Sequence, residues 1–182
     1  MPQANPHFPT CPPRVGVATG SAATVVLDTN VVLDWLVFRD ANCFELGSRL
    51  LAGQLRWQAT EAMRAELSSV LPRAELLAWK PDSDHVLSMF DRLAHLQPAV
   101  SAVPPAARLG CRDADDQKFI DLAVAVGARW LLSRDRALLE LAKPALKCGV
   151  EILTPAAWLR RYPPCPQDAA APHIPNDGVL EP

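Results

Sequence analysis

Short apolar runs alternate with stretches of helical period along most of this chain, and that alternation narrows the fold more than any other feature. Thr24–Asp28 is short, apolar and β-branched, as a strand covered on both faces is. Arg56–Ala59, Trp130–Ser133 and Val150–Leu153 are strand-like too. Between these runs the pattern turns helical. Helices are predicted over Asn30–Phe38, Asn42–Gly53, Glu61–Leu71 with Thr60 as its cap, and Arg73–Lys80 between Pro72 and Pro81. Further helices are predicted over Asp82–Leu96, over Asp115–Val126 closed by Gly127, over Asp135–Ala142, and onward from Pro155. Pro98–Pro105 reads as a loop with room for a short strand. This order predicts an α/β fold, a three-layer α/β/α sandwich with a central, mostly parallel sheet.

A length of 182 residues favours one domain, and a hydrophobic fraction of 49% is enough to fill its core. Eleven of the eighteen prolines fall in residues 1–20 and 161–182, which leaves the ends with little to bury. The expected organisation is a Pro-rich irregular extension over 1–22, a folded domain over 23–162 and a Pro-rich irregular tail over 163–182. No internal repeat is visible. The net charge of −2 excludes a basic nucleic-acid-coating protein, although a local basic rim can still bind RNA or DNA. Cys11, Cys43, Cys111, Cys148 and Cys165 are odd in number and widely spaced, with no C-x-x-C pair, so reduced thiols are expected rather than a disulfide framework or a zinc site. No signal-peptide pattern opens the chain, and no apolar run approaches the length of a membrane span. The expected location is the cytoplasm.

Four acids stand where a metal ligand would be useful. Asp28 ends an apolar run, Asp135 follows another, Asp116 lies at the start of a helix, and Glu66 lies on the helix after the second strand. Residues at strand ends and helix starts can meet in the crevice at the C-terminal edge of a parallel sheet. Helical phase sorts them from ordinary acids. Glu66 flanks the apolar stripe of Met63, Leu67, Val70 and Leu71, whereas Glu61 falls on the opposite side and suits the helix dipole. Asp116, Ile120, Ala123 and Gly127 share one face, and Asp121 points away from it. Each acid also has a plain alternative. Glu66 can be a solvated edge residue, and Asp28, Asp115, Asp116 and Asp135 can be helix caps. Capping needs only one of Asp113, Asp115 and Asp116, so that cluster has acids to spare.

Crowded carboxylates repel, and a divalent cation lets them persist together. An acid-only set suits a hard ion such as Mg²⁺ or Mn²⁺, and hydrolysis of a nucleic-acid backbone is the obvious use for it.

Three segments carry a family resemblance: Val25-Val26-Leu27-Asp28-Thr29-Asn30-Val31, the run from Arg112-Asp113-Ala114-Asp115-Asp116 to Ala123, and Trp130-Leu131-Leu132-Ser133-Arg134-Asp135-Arg136 followed by Val150–Pro155. In order and spacing they resemble PIN-domain ribonucleases, most closely the toxin components of bacterial toxin–antitoxin pairs, over most of residues 24–160. The resemblance implies a PIN-like fold and a divalent-metal-dependent endoribonuclease with an RNA substrate, a cognate antitoxin and a homodimeric state. It implies Asp28, Glu66, Asp116 and Asp135 as catalytic acids, with Asp28, Asp116 and Asp135 as metal ligands. Asp113 lies in the same Arg-Asp-x-x-Asp pattern and competes with Asp116 as a ligand. Asn30 and Ser133 match supporting polar positions. The Pro-rich ends depart from the family's core.

Arg112, Lys118, Arg134 and Arg136 flank the acids and are candidates for holding phosphates, with Arg39 a weaker one; each is otherwise a solvated charge paired with nearby Asp or Glu. Trp35, Leu36 and Phe38 are apolar enough to supply a dimer face, and equally suited to the core. His85 and His95 read as ordinary residues of one helix. An aspartyl phosphotransferase is the enzyme rival, but it pairs its Asp with a second Asp two residues on, where this chain has Asn30. Usual nucleotide-binding motifs and the G-x-S-x-G elbow are absent. The non-enzyme rival is a catalytically silent PIN-like module that binds RNA or protein.

Overall fold

The computed structural model of the protein describes residues 22–99 and 109–164. Five strands form one sheet: β1 (Ala23–Leu27), β2 (Leu55–Thr60), β3 (Ala94–Gln97), β4 (Trp130–Leu132) and β5 (Glu151–Leu153). Their order is β3-β2-β1-β4-β5, and every pairing is parallel. Parallel neighbours need crossovers, and these are filled by α1 (Thr29–Leu36), α2 (Phe44–Leu51), α3 (Glu61–Val70), α4 (Ala74–Leu77), α5 (Ser83–Leu93), α6 (Gln117–Ala125), α7 (Arg136–Glu140) and α8 (Ala142–Leu146), with α9 (Pro155–Arg161) after the last strand. Crossovers are right-handed, so the connections running outward from β1 to β3 cover one face. Those that return to β4 and run on to β5 cover the other. The result is the expected α/β sandwich.

Strands buried on both faces read as continuous apolar runs, and β1 and β4 do so here. Val25, Val26, Leu27, Trp130, Leu131 and Leu132 are all buried. Trp57 meets Phe90 edge-on at 4.8 Å and Trp130 meets Trp158 at 5.7 Å, and the shared register with Val25 puts both tryptophans on one face of the sheet. Each large side chain removed from water in this way contributes about 1.5–3 kcal/mol. Gly47 on α2 is dictated by packing, since a Cβ there would stand 2.2 Å from Trp35 Nε1. Trp35 is thus part of the core, and its indole is not available to a dimer face.

Three expectations are corrected. The helix predicted over Asp82–Leu96 ends at Leu93, and its last residues are an edge strand paired Trp57↔Ala94 to Thr60↔Gln97. No Gly or Pro marks that switch, and Leu96, which extends the apolar period, is 44% exposed. His85 and His95 therefore lie on different elements. The predicted helix Asn42–Gly53 begins as a 3-10 turn, Ala41–Cys43, before α2 starts at Phe44. The helix predicted over Asp135–Ala142 is two short ones, and α8 carries Pro144 in its first turn, where no hydrogen bond from its nitrogen is needed. The Pro-rich ends and most of Pro98–Pro105 lie outside the described residues. Among the described residues no helix is long and apolar enough to cross a membrane.

Candidate functional site

In a doubly wound sheet the chain leaves in opposite directions on either side of one strand pair, and a crevice opens there at the carboxyl ends. Here that pair is β1 and β4. Asp28 leaves β1, and Ser133, Arg134 and Asp135 leave β4. The two exits are stitched together. The Asp28 amide donates to the Leu132 carbonyl at 3.0 Å, and the Ser133 hydroxyl donates to Asp28 Oδ2 at 2.6 Å. Asn30 Nδ2 reaches the same oxygen at 3.5 Å. Ser133 Oγ in turn accepts from the Asp135 amide at 2.8 Å. Ser133 is buried and Asp28 is 2% exposed, so this carboxylate is oriented from both sides.

The other acids arrive from the flanking helices. Asp116 immediately precedes α6, and Glu66 lies on α3. Their fields overlap. Burial raises the Asp28 carboxyl above its ordinary range, with Glu66 and Asp135 pushing the same way against the hydrogen bond from the Ser133 hydroxyl. Asp116 is pushed up to about 7, first by burial and then by the charges of Asp28, Asp135 and Asp113, with Lys118 opposing. Asp28 and Asp135 are thus close enough to oppose the ionisation of Asp116.

Capping, the plain alternative, divides them. Asp135 does cap its helix, accepting from the Ala137 amide at 2.6 Å. Asp28 and Asp116 occupy cap positions but make no side-chain cap bond. Asp113 is exposed and accepts from the Asp115 amide at 2.9 Å. Glu66 Oε2 lies 2.7 Å from Lys118 Nζ, and that ammonium also donates to the Asp115 carbonyl. Asp121 accepts from Gln117 Nε2 instead.

The donor set is all carboxylate oxygen, which fits a hard divalent cation. Burial is the first cause of the elevated Asp116 carboxyl, and the repulsion that adds to it is the part a cation would relieve. As they stand, however, no three His, Cys, Asp or Glu side chains among the described residues are grouped to hold one ion.

The basic residues separate as well. Arg112 and Arg136 line a groove with Asp113 and Asp135. Arg112 pairs loosely with Glu140 at 3.8 Å, and Arg136 Nε donates to the same carboxylate at 3.0 Å on the exposed surface. Arg134 turns the other way, onto Asp34 and Asp40. Arg39 lines a different groove with Lys80 and His85. Asp34 is the residue that sequence reasoning missed. It is 5% exposed on the buried stripe of α1 with Val31 and Trp35, so the phase argument that singled out Asp116 would have found it.

Comparison with known proteins bears on the whole arrangement. No curated protein sequence matches the chain. The structure is similar to a chain in the crystal structure of VapBC2 from Rickettsia felis bound to a DNA fragment from their promoter, at 14% identity and a TM-score of 0.49 over 72% of this chain and 98% of that one. The family model of the PIN domain matches residues 24–137, which span both β1 and β4 and all four acids. The chain belongs to the PIN domain family.

Proposed function

We propose that this protein is a divalent-metal-dependent endoribonuclease, the toxin of a toxin–antitoxin pair, acting in the cytoplasm. One observation carries the enzymatic part. Burial, and after it the charges of Asp28, Asp135 and Asp113, hold the Asp116 carboxyl up to about 7. Perturbed acids in a cleft are a functional signature when structure alone does not require them, and neither Asp28 nor Asp116 caps its helix through its side chain. Family membership supports nuclease chemistry. The toxin role and the antitoxin partner rest on the resemblance of the three sequence segments.

Asp28, Asp116 and Asp135 would hold the ion, with Glu66 at the wall and Asp113 beside Asp116. Mg²⁺ or Mn²⁺ bound there would activate a water and offset charge on the scissile phosphodiester. The chain's own residues do the rest. Ser133 and Asn30 fix the Asp28 carboxylate, and the Ser133 oxygen ties Asp28 to the Asp135 backbone. Arg112 and Arg136 are exposed, and their surface pairs contribute little, so both are free to turn onto RNA phosphates.

The silent-module reading has one observation in its favour, because Glu66 already has a cation in Lys118. Cleavage of a structured RNA with Mn²⁺ or Mg²⁺, repeated in chelator and with Asp28→Asn, separates the two. Cation-dependent cutting that the variant lacks supports the nuclease. RNA binding without cutting under any cation supports the module.

A further inference from the structure

Arg134 stands between two residues of the site, Ser133 and Asp135, yet its guanidinium faces away from the acids that they join. Nη1 donates to both oxygens of Asp34, at 3.0 and 2.9 Å. Nη2 lies 3.3 Å from Asp40 Oδ2. The Asp40 amide donates to the Asp34 carbonyl at 2.8 Å, so the two acids form one rigid receptor. Asp34 is buried on α1, the helix that Asp28 opens. A buried carboxylate needs a partner, and Arg134 is the one it has in this contact.

We propose that Asp34 and Arg134 are positioning residues for the carboxylate site. The buried Asp34 grips the loop between β4 and α7 through Arg134, and thereby fixes Ser133 and Asp135 against Asp28. The inference rests on the metal-nuclease reading above and deepens it. The clamp joins the same two chain exits as the Ser133–Asp28 hydrogen bond, from the opposite side of the loop. With both in place the loop cannot rotate Asp135 away from Asp28. Without the clamp, repulsion between the acids is opposed by the Ser133 bridge alone. This role also competes with phosphate binding, because a guanidinium held by two acids must break both contacts to reach RNA. The planar fork suits this double grip, and a lysine ammonium does not reproduce it.

The full chain is tested as wild type, Asp34→Asn, Arg134→Met, Arg134→Lys, the Asp34→Asn/Arg134→Met double variant, and Arg64→Met. The last breaks the unrelated surface pair between Arg64 and Asp91. Three readouts are taken: Mn²⁺ affinity by calorimetry, single-turnover RNA cleavage, and the salt dependence of binding to a labelled mixed-sequence RNA in chelator. Melting in chelator identifies the folded variants. Asp34→Asn and Arg134→Met are each expected to weaken Mn²⁺ binding by roughly tenfold to a hundredfold, as loss of a group that orients a ligand does. The double variant should lose no more than either single one. Arg134→Lys should recover only part, Arg64→Met should match wild type, and the salt slope should stay constant throughout. A salt slope reduced by about 1 in Arg134→Met, with Asp34→Asn unchanged, would make Arg134 a phosphate contact and overturn the proposal. Folded variants that bind Mn²⁺ and cleave as wild type does would overturn it too. If Arg134→Met does not fold, Asp34→Asn and Arg134→Lys decide by the same criteria. A wild type that neither binds Mn²⁺ nor cleaves removes the metal-nuclease reading and this inference with it, whereas an active wild type with indifferent variants removes this inference alone.

Discussion

Replacing Asp116 with Asn should stabilise the protein in chelator at alkaline pH and do almost nothing at acid pH. The Asp116 carboxyl is raised from 3.8 to about 7, so between those values the folded chain keeps a proton that the unfolded chain has lost. Stability therefore falls as pH rises through that window and stays low above it. At full value the shift is worth about 4 kcal/mol at 1.36 kcal/mol per unit. Much of the side chain meets solvent, and screening cuts this to about 1–2 kcal/mol. The Asn variant removes the charge and keeps the shape, and it gives up no cap bond because Asp116 makes none with its side chain. At pH ~8 in chelator it should melt about 3–6 °C above wild type. Near pH ~3, where the wild-type carboxyl is largely protonated in both states, the two curves should meet. Mn²⁺ should raise the wild-type melting temperature more than that of the variant. Scanning calorimetry or fluorescence melts from acid to alkaline pH make the measurement. A variant that melts below wild type at alkaline pH, or a difference that ignores pH, would show that Asp116 is not held among like charges.

Asp28→Asn and Asp135→Asn should each abolish cation-dependent RNA cleavage with the fold intact, and a gel assay with matched melting curves checks both. Asp135→Ala should additionally lose about 1 kcal/mol by urea titration, because Asp135 caps the Ala137 amide, while Asp28→Ala should show no cap loss. Gly47→Ala should destabilise by about 1–3 kcal/mol, since its methyl group lands on the Trp35 indole; an unchanged urea midpoint would mean that α2 shifts freely. Arg134→Met should cost about 1–3 kcal/mol at neutral pH, a figure reduced because the guanidinium is half exposed. Burial already raises the Asp34 carboxyl with Arg134 opposing, so losing Arg134 raises it further, and the deficit should shrink as pH falls through that range.

Much of this fold was legible because its central strands are covered on both faces. A strand such as Thr24–Asp28 must then be a short unbroken apolar run, and that is a strong signal. The edge strand Ala94–Gln97 failed for the complementary reason. His95 and Leu96 are exposed, so burial imposes no period on them, and the run joined the preceding helix. At the site, strand ends and helix phase pointed to Asp28, Asp116 and Asp135. What they could not give was the direction of a long flexible side chain. Arg134 is adjacent in sequence to Asp135 and yet turns toward Asp34, a contact across 100 residues that no local pattern encodes. The same holds for Lys118 and Glu66.

The strand order also sets when a site of this kind can exist. Strands β1, β2 and β3 come in succession along the N-terminal half, with Gln58 and Gln97 in contact at a separation of 39 residues. The bond that joins the two exits, Ser133 to Asp28, closes a span of 105 residues. Closing the longer loop costs more chain entropy, and pairings of that range form late and slowly. A chain still leaving the ribosome can complete half of its sheet while β4 is unmade. Until β4 inserts beside β1, Asp28 lacks Ser133 and Asp135, and Asp116 lacks two of the charges that crowd it. If these acids form the proposed metal site, the growing chain would carry no complete site before β4 docks beside β1.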